Sequence, residues 1–411
     1  MLTKRRKFVK PQGAAVSKPP SSKGAVWKAP LLDLRSTVER ERLASLFEEN
    51  FARFGELGAA VSVWQHGKPI VELHGGFRDA KREQPWAADT IVLFWSATKG
   101  LGSACLLHAL QERAISLEHR VAELWPEFAQ AGKSAITIGQ LLSHQAGLSA
   151  LDKPIDVLDY PAVIAALEKQ APVWPPGAAH GYHARTFGFL VDELTRRITD
   201  QRVSEYWRTT FAEPLELDIW IGLPEVEHKR VATIYAAKAG GEQKPAEFYR
   251  ELMTPGTLVR KTFTSPAGLH SIAAMNTAEN RAANIVSFSG IGSASSLAKF
   301  YGMLANDGVL EGQCYFSPET IALMTTTLTS GIDRILQIPT AFSAGFMKDS
   351  PDAPRRIFGP SSSAFGHPGA GGSNAFADPE NGISFAYVMN QMEQSLLPNE
   401  KSLRLVDAIY R

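Results

Sequence analysis

Cysteine is nearly absent: Cys105 and Cys314 are the only two in 411 residues, and neither falls in a Cys-x-x-Cys pair or a Cys/His cluster with zinc spacing. A disulfide framework and a structural metal therefore have no support. An excess of one charge is missing as well, since 43 Lys+Arg stand against 42 Asp+Glu for a net +1, which gives no whole-protein field to steer nucleic acid or a membrane surface. No segment approaches the roughly 18 apolar residues of a membrane span. Several catalytic patterns are missing too. There is no His-Glu-x-x-His, no Walker motif and no Gly-x-Ser-x-Gly elbow; the nearest approach, Ala341-Phe342-Ser343-Ala344-Gly345, lacks a following helix. Gly369-Ala370-Gly371-Gly372-Ser373-Asn374 breaks the dinucleotide fingerprint at its last position and precedes a strand. What remains is a globular composition, 44% hydrophobic and 21% charged, in a chain long enough for about two to three domains' worth of core.

The charge is uneven along the chain. Residues 1–30 hold eight basic residues and no acid, so the net +1 of the whole leaves −7 on residues 31–411. With Pro11, Pro19, Pro20 and Pro30 and little apolar content, this segment reads as a flexible basic tail. Arg5-Arg6-Lys7 resembles a twin-arginine export signal, but Pro11 to Pro20 replaces the required apolar region, so the expected location is cytoplasmic.

Further on, Ser36 to about Arg53 carries a capping residue, early acids and helical apolar spacing, which predicts a helix. Ala59–Gln65 and Pro69–Phe77 read as a hairpin around His66-Gly67-Lys68. The apolar run Thr90–Trp95 leads into a helix from Ser96 to about Gln111, and helical patterns follow near 137–144, 161–170, 186–199 and 203–212. Strands return at 342–348, 372–378 and 383–391, before a closing helix at 401–410. The fold class expected is α+β, an antiparallel sheet flanked by helices plus an inserted all-α domain. Its boundaries are 31–95 and 286–411 for the α/β domain and 96–285 for the helical one, with a cleft between them.

Three short elements could carry chemistry. Ser96-Ala97-Thr98-Lys99 puts a hydroxyl and an amine three apart at a helix start, where the amine can take the serine proton and free N–H groups favour developing negative charge. The pattern recurs at Ser296-Leu297-Ala298-Lys299, where a helix cap and a surface lysine explain it. In a Pro/Gly-rich loop, Tyr182 is followed by His183 and Ala184 and could partner the lysine as acid and base. Finally, His367-Pro368-Gly369-Ala370-Gly371 enters a strand pair, and the Ala370 N–H could point at a carbonyl oxygen.

In order and spacing these elements resemble the serine β-lactamase and penicillin-binding-protein superfamily, with its Ser-x-x-Lys, Ser/Tyr-x-Asn and Lys-Thr-Gly motifs. Leu141-Leu142-Ser143-His144-Gln145-Ala146-Gly147-Leu148 adds a segment common in the class C-like branch, and the likeness spans roughly residues 35–411. The chain looks most like the family VIII carboxylesterases. Ala184 replaces the asparagine, and His367-Pro368-Gly369 replaces the lysine and threonine that receive a β-lactam carboxylate. The resemblance implies a β-lactamase/transpeptidase-like fold and a serine hydrolase that cleaves small, short-acyl esters through an acyl-enzyme, without metal or organic cofactor. It implies Ser96 as nucleophile, Lys99 as proton acceptor and Tyr182 as relay, with the N–H groups of Ser96 and Ala370 as oxyanion hole. Substrate contacts are expected from His367, Gly369, Gly371, Trp95 and His183, and His144 is expected to pack. The alternatives are a β-lactamase or D-alanyl-D-alanine peptidase, an acyltransferase with an alcohol acceptor, and a catalytically silent binding protein of the same fold. The expected partner is a small ester, with no nucleic acid and no membrane.

Overall fold

Both ends of the chain build one sheet. In the computed structural model, which describes residues 26–28, 37–237, 246–395 and 397–410, helix α1 (Thr37–Arg53) precedes the hairpin of β2 (Gly58–Gln65) and β3 (Lys68–Gly76). Strand β1 (Val26–Lys28) pairs antiparallel with the outer edge of β3, Trp27 opposite His74. The segment expected as a tail thus contains a strand, which takes up the outer edge of β3. The remainder of that expectation, residues 1–25 and 29–30, lies outside the described residues.

Strand β4 (Val92–Leu93) leads into a single 3₁₀ turn, Trp95–Ala97, and then helix α2 (Thr98–Glu112). After the helical middle of the chain come β5 (Ile219–Ile221) and β6 (Gly290–Gly292), which form a small sheet in the order β4-β6-β5. The insertion expected to be all-α therefore contributes one strand of its own, β5. A small hairpin, β7 (Val309–Leu310) and β8 (Gln313–Cys314), stands apart. The C-terminal part supplies β9 (Thr329–Ile332), β10 (Pro339–Phe342), β11 (Met347–Lys348), β12 (Phe365–Gly366), β13 (Asn374–Asp378) and β14 (Ile383–Met389). These complete a nine-stranded antiparallel sheet in the order β1-β3-β2-β14-β13-β12-β11-β10-β9.

The strand expected over 342–348 is two strands with a turn between them. Gly345 holds φ +82° there, and a Cβ on it would meet Ser103 Oγ at 2.3 Å, so glycine both permits the turn and lets it press on α2. Helix Ala294–Ala305 packs on β14, β2 and β13, and the closing helix Glu400–Ile409 packs against α1. Helix α2 is buried from Thr98 to Leu107 on every side, which fits its lack of a polar face. Its lysine is consequently inside the protein. Among the described residues no helix is long and apolar enough to cross a membrane.

Candidate active site

The turn before α2 is strained at the residue where it must be sharp. Trp95 holds φ +50°, sparsely populated for a bulky side chain. Thr98 Oγ1 donates to Trp95 O at 2.5 Å and accepts from Gly290 N at 2.8 Å, pinning the turn to β6. Gly290 must lack a side chain, since a Cβ would lie 2.3 Å from the Phe94 ring. The turn leaves Ser96 half-buried at the start of the helix. Behind it, Gly100 admits the Tyr301 hydroxyl, 2.2 Å from where its Cβ would be.

Lys99 is fully buried, and its Nζ lies 3.3 Å from Ser96 Oγ, 2.9 Å from Ala184 O and 2.7 Å from Ser287 O. Burial, with the Arg185 guanidinium nearby adding like-charge repulsion, drives its pKa well below the ordinary lysine value. A neutral amine has two hydrogens for the two carbonyls, which leaves its lone pair facing the serine hydroxyl. Ala184, where the resemblance leads one to expect asparagine, serves through its backbone carbonyl.

Tyr182 is buried with its ring 4.9 Å from Lys99 Nζ. Burial raises its pKa, and a hydrogen bond with Ser96 pulls it back. Serine and lysine from one stretch of chain and tyrosine from another are thus brought together.

The His367 loop meets the Ser96 turn backbone to backbone, because a Cβ on Gly369 would lie 2.1 Å from Phe94 O. That space was expected to admit a substrate; Phe94 occupies it. Gly371, at φ +85°, faces Met392, and its carbonyl accepts from Glu393 N, so its glycine character serves the loop. Ala370 is exposed at the tip. Among the described residues neither the Ser96 N–H nor the Ala370 N–H has an acceptor in the protein. Trp95 is half-buried, and its Nε1 has no partner.

The histidines divide. His367 places Nδ1 2.8 Å from Pro368 O, so Nδ1 carries the proton and Nε2, buried and without a partner among the described residues, is a bare acceptor; burial and the Lys99 charge hold its pKa down to about 3. His183, expected to touch substrate, is fully buried with Nδ1 on Gly181 O at 2.7 Å and Nε2 accepting from Leu148 N at 2.9 Å. Both nitrogens are used in the protein, and burial lowers its pKa to about 4. His144 packs among Tyr182, Phe187 and Phe342, and its Nδ1 accepts from His183 N at 3.1 Å. Among the described residues no cluster of His, Cys, Asp or Glu could hold a metal ion.

Three residues around the site carried no recognisable signal in the sequence. Arg185 and Ser287 act through a charge and a carbonyl on Lys99, and buried Asp333 binds the backbone of Tyr182.

Comparison with known proteins gives a consistent likeness. Residues 43–408 match the family described as Beta-lactamase. The chain is 33% identical over 366 residues to "Esterase/beta-lactamase LipL" of Mycobacterium tuberculosis, covering 84% of this chain and 79% of that protein. A penicillin-binding protein homologue from Caulobacter crescentus shares the fold with a TM-score of 0.81 at 38% identity, over 93% of this chain and 99% of that one. A family VIII carboxylesterase matches with a TM-score of 0.81 at 32% identity, over 93% and 100%.

Proposed function

This chain belongs to the Beta-lactamase family, and from that premise we propose that it is a serine carboxylesterase cleaving small, short-acyl esters through an acyl-enzyme on Ser96. The observation that carries the reading is the Lys99 amine, buried with no carboxylate partner among the described residues and held by two carbonyls with Ser96 Oγ as its third neighbour. A lysine so placed is a base at neutral pH. The hydrolase likeness of the relatives, one of them a family VIII carboxylesterase, supports the same reading.

In this mechanism Lys99 Nζ takes the Ser96 proton as Oγ attacks the ester carbonyl. The tetrahedral oxyanion is received by the N–H groups of Ser96 and Ala370. Collapse breaks the bond to the alkoxy oxygen, which leaves with the proton relayed from Lys99 through the Tyr182 hydroxyl. Water then enters, gives a proton to the same pair and attacks the acyl carbon; the acid departs as Ser96 recovers its proton. Tyr182 keeps its own proton between these transfers, since burial disfavours the phenolate.

His367 supports the ester reading of the substrate class. A bare Nε2 acceptor repels a carboxylate that a lysine and threonine would bind, which favours neutral esters over β-lactams. Initial rates on p-nitrophenyl acetate, butyrate and octanoate beside nitrocefin, for wild type and Ser96→Ala, test the proposal. Ester rates that fall with acyl length, exceed nitrocefin turnover and vanish in the variant are expected. Dominant nitrocefin turnover would make the chain a β-lactamase, and rates independent of Ser96 would overturn the scheme.

A further inference from the structure

Tyr182 stands in a loop rather than on a helix or strand, so something must fix where its hydroxyl lies. Three consecutive N–H groups are held. Gly181 N donates to His144 O at 3.1 Å, His183 N to His144 Nδ1 at 3.1 Å, and Tyr182 N to both carboxylate oxygens of Asp333 at 3.1 Å. His144 precedes the tyrosine by 38 residues; Asp333 follows it by 151 and comes from the β9–β10 connection. The loop is gripped from two sides.

Asp333 is fully buried, and every hydrogen bond its carboxylate makes is with a group able to donate. Besides Tyr182 N, its Oδ1 accepts from Ile335 N at 2.7 Å and Leu336 N at 2.8 Å, and its Oδ2 takes the Thr340 hydroxyl at 3.3 Å. Thr340 Oγ1, having given that proton, can accept from His180 Nε2 at 2.9 Å, and His180 Nδ1 then accepts from Thr329 Oγ1 at 3.1 Å. His180 O in turn accepts from Arg334 N at 3.1 Å. Within its own turn the carboxylate accepts from Ile335 N and Leu336 N, and the Asp333 backbone adds bonds to Ile338 O and from Gln337 N. The bond to Tyr182 serves another part of the chain.

We infer that Asp333 is a positioning residue for acyl transfer: by gripping the Tyr182 backbone N–H from the sheet side, it sets the phenol against Ser96 and Lys99. The inference rests on Tyr182 being the proton relay proposed above. An ångström's drift of the phenol would spoil a relay that works over hydrogen-bond distances. An asparagine keeps the shape but turns one acceptor into an NH₂ donor facing the Tyr182 N–H, which loosens the grip without emptying the space.

The test is a double-mutant cycle on p-nitrophenyl acetate rates with Asp333→Asn, Tyr182→Phe and the double variant, each with a thermal melt. Asp333→Asn is expected to lower kcat about 10²-fold, the scale of a small misplacement. KM is expected to stay within about twofold, and the substitution to cost nothing more once Tyr182 is phenylalanine. The same loss in both backgrounds would mark Asp333 as structural only and overturn the inference, as would an unchanged kcat in Asp333→Asn. Where Asp333→Asn does not fold, Thr340→Val runs the same cycle; it deletes one bond to the carboxylate and leaves the three N–H donors, so a smaller loss with the same dependence on Tyr182 is expected, and a Tyr182-independent loss or none overturns the inference. If Tyr182→Phe alone leaves kcat unchanged, the relay reading falls and this inference with it. A rate that needs Tyr182 but not Asp333 overturns the grip alone.

Discussion

Ser96-Ala97-Thr98-Lys99 and Ser296-Leu297-Ala298-Lys299 share one pattern in one chain, and the fold gives them opposite surroundings. Lys99 is buried among carbonyl oxygens with no carboxylate in contact among the described residues, while Lys299 pairs with Glu311 at 2.8 Å, its partner largely exposed. Ser96 sits in a strained turn beside its lysine. Ser296 lies in the first turn of Ala294–Ala305, its N–H donating to Ser293 Oγ at 3.1 Å and its Oγ accepting from Asp218 N at 2.9 Å. The helix cap expected of Ser296 is supplied by Ser293. The comparison teaches that one pattern can put its lysine in opposite surroundings: burial among carbonyl oxygens disfavours the charged form of Lys99, while Lys299 keeps a carboxylate beside it.

The largest test of that contrast is paired serine removal. Ser96→Ala is expected to lower ester turnover by about 10³-fold or more, as loss of a nucleophile does, and to abolish labelling by a fluorophosphonate. Ser296→Ala should leave kcat within about twofold and only soften the melt, since it removes a single neutral hydrogen bond. Equal losses from the two would erase the distinction. Paired lysine removal comes next. Lys99→Met should cost about 10²–10⁴ in kcat, the range of a general base, against no measurable change for Lys299→Met.

The sequence made one side of this contrast legible and hid the other. The helix at 186–199 and the hairpin around His66-Gly67 follow from periodicity and turn chemistry, which are local, and the structure has them at Thr186–Thr199 and β2–β3. The gathering of Ser96, Lys99 and Tyr182 was anticipated because short motifs in a fixed order carry a family's geometry with them. Asp333, Arg185 and the Ser287 carbonyl were out of reach, because each acts across 80 to 190 residues through a backbone group or a field that no local pattern encodes. The 342–348 segment failed for a related reason: its apolar run reads as one strand until Gly345 is seen pressed on Ser103. For the same reason the glycines of the 369–371 loop looked like room for substrate when they are room for Phe94 and Met392.

The pH profile sharpens the role of the buried amine. With Lys99 well below its usual value, kcat/KM should rise with pH through that depressed pKa, as the amine loses its proton, and then level off. His367 near 3 and His183 near 4 have already lost their charge under those conditions, and burial lowers His144 and His180 as well. The limb therefore reports the lysine. Arg185 donates to Pro266 O at 2.8 Å and to Gly268 O, and its charge is the second cause of the Lys99 shift. Arg185→Met should move the limb to higher pH and lower the rate at neutral pH by about two- to tenfold, since one pKa unit is tenfold in protonation. A limb that does not move would remove Arg185 from the explanation.

Stability gives the smallest and most discriminating contrast. A lysine whose folded pKa is depressed is protonated more readily in the unfolded chain, so it opposes folding below its folded pKa. That opposition fades as pH rises from the folded value towards the unfolded 10.5. Lys99→Met, which fills similar space without a charge, should therefore melt higher than wild type, and the gap should narrow as pH increases through that window. Lys299→Met loses only a partly exposed ion pair, for which about 0–1 kcal/mol is expected. Its small deficit should shrink with added salt, as a screened surface pair does. Melts at several pH values and two salt concentrations read both effects on one protein. If Lys99→Met melted below wild type across the range, the lysine would be a structural cation bound to Ala184 and Ser287, and the catalytic reading of Ser-x-x-Lys here would lose its physical basis.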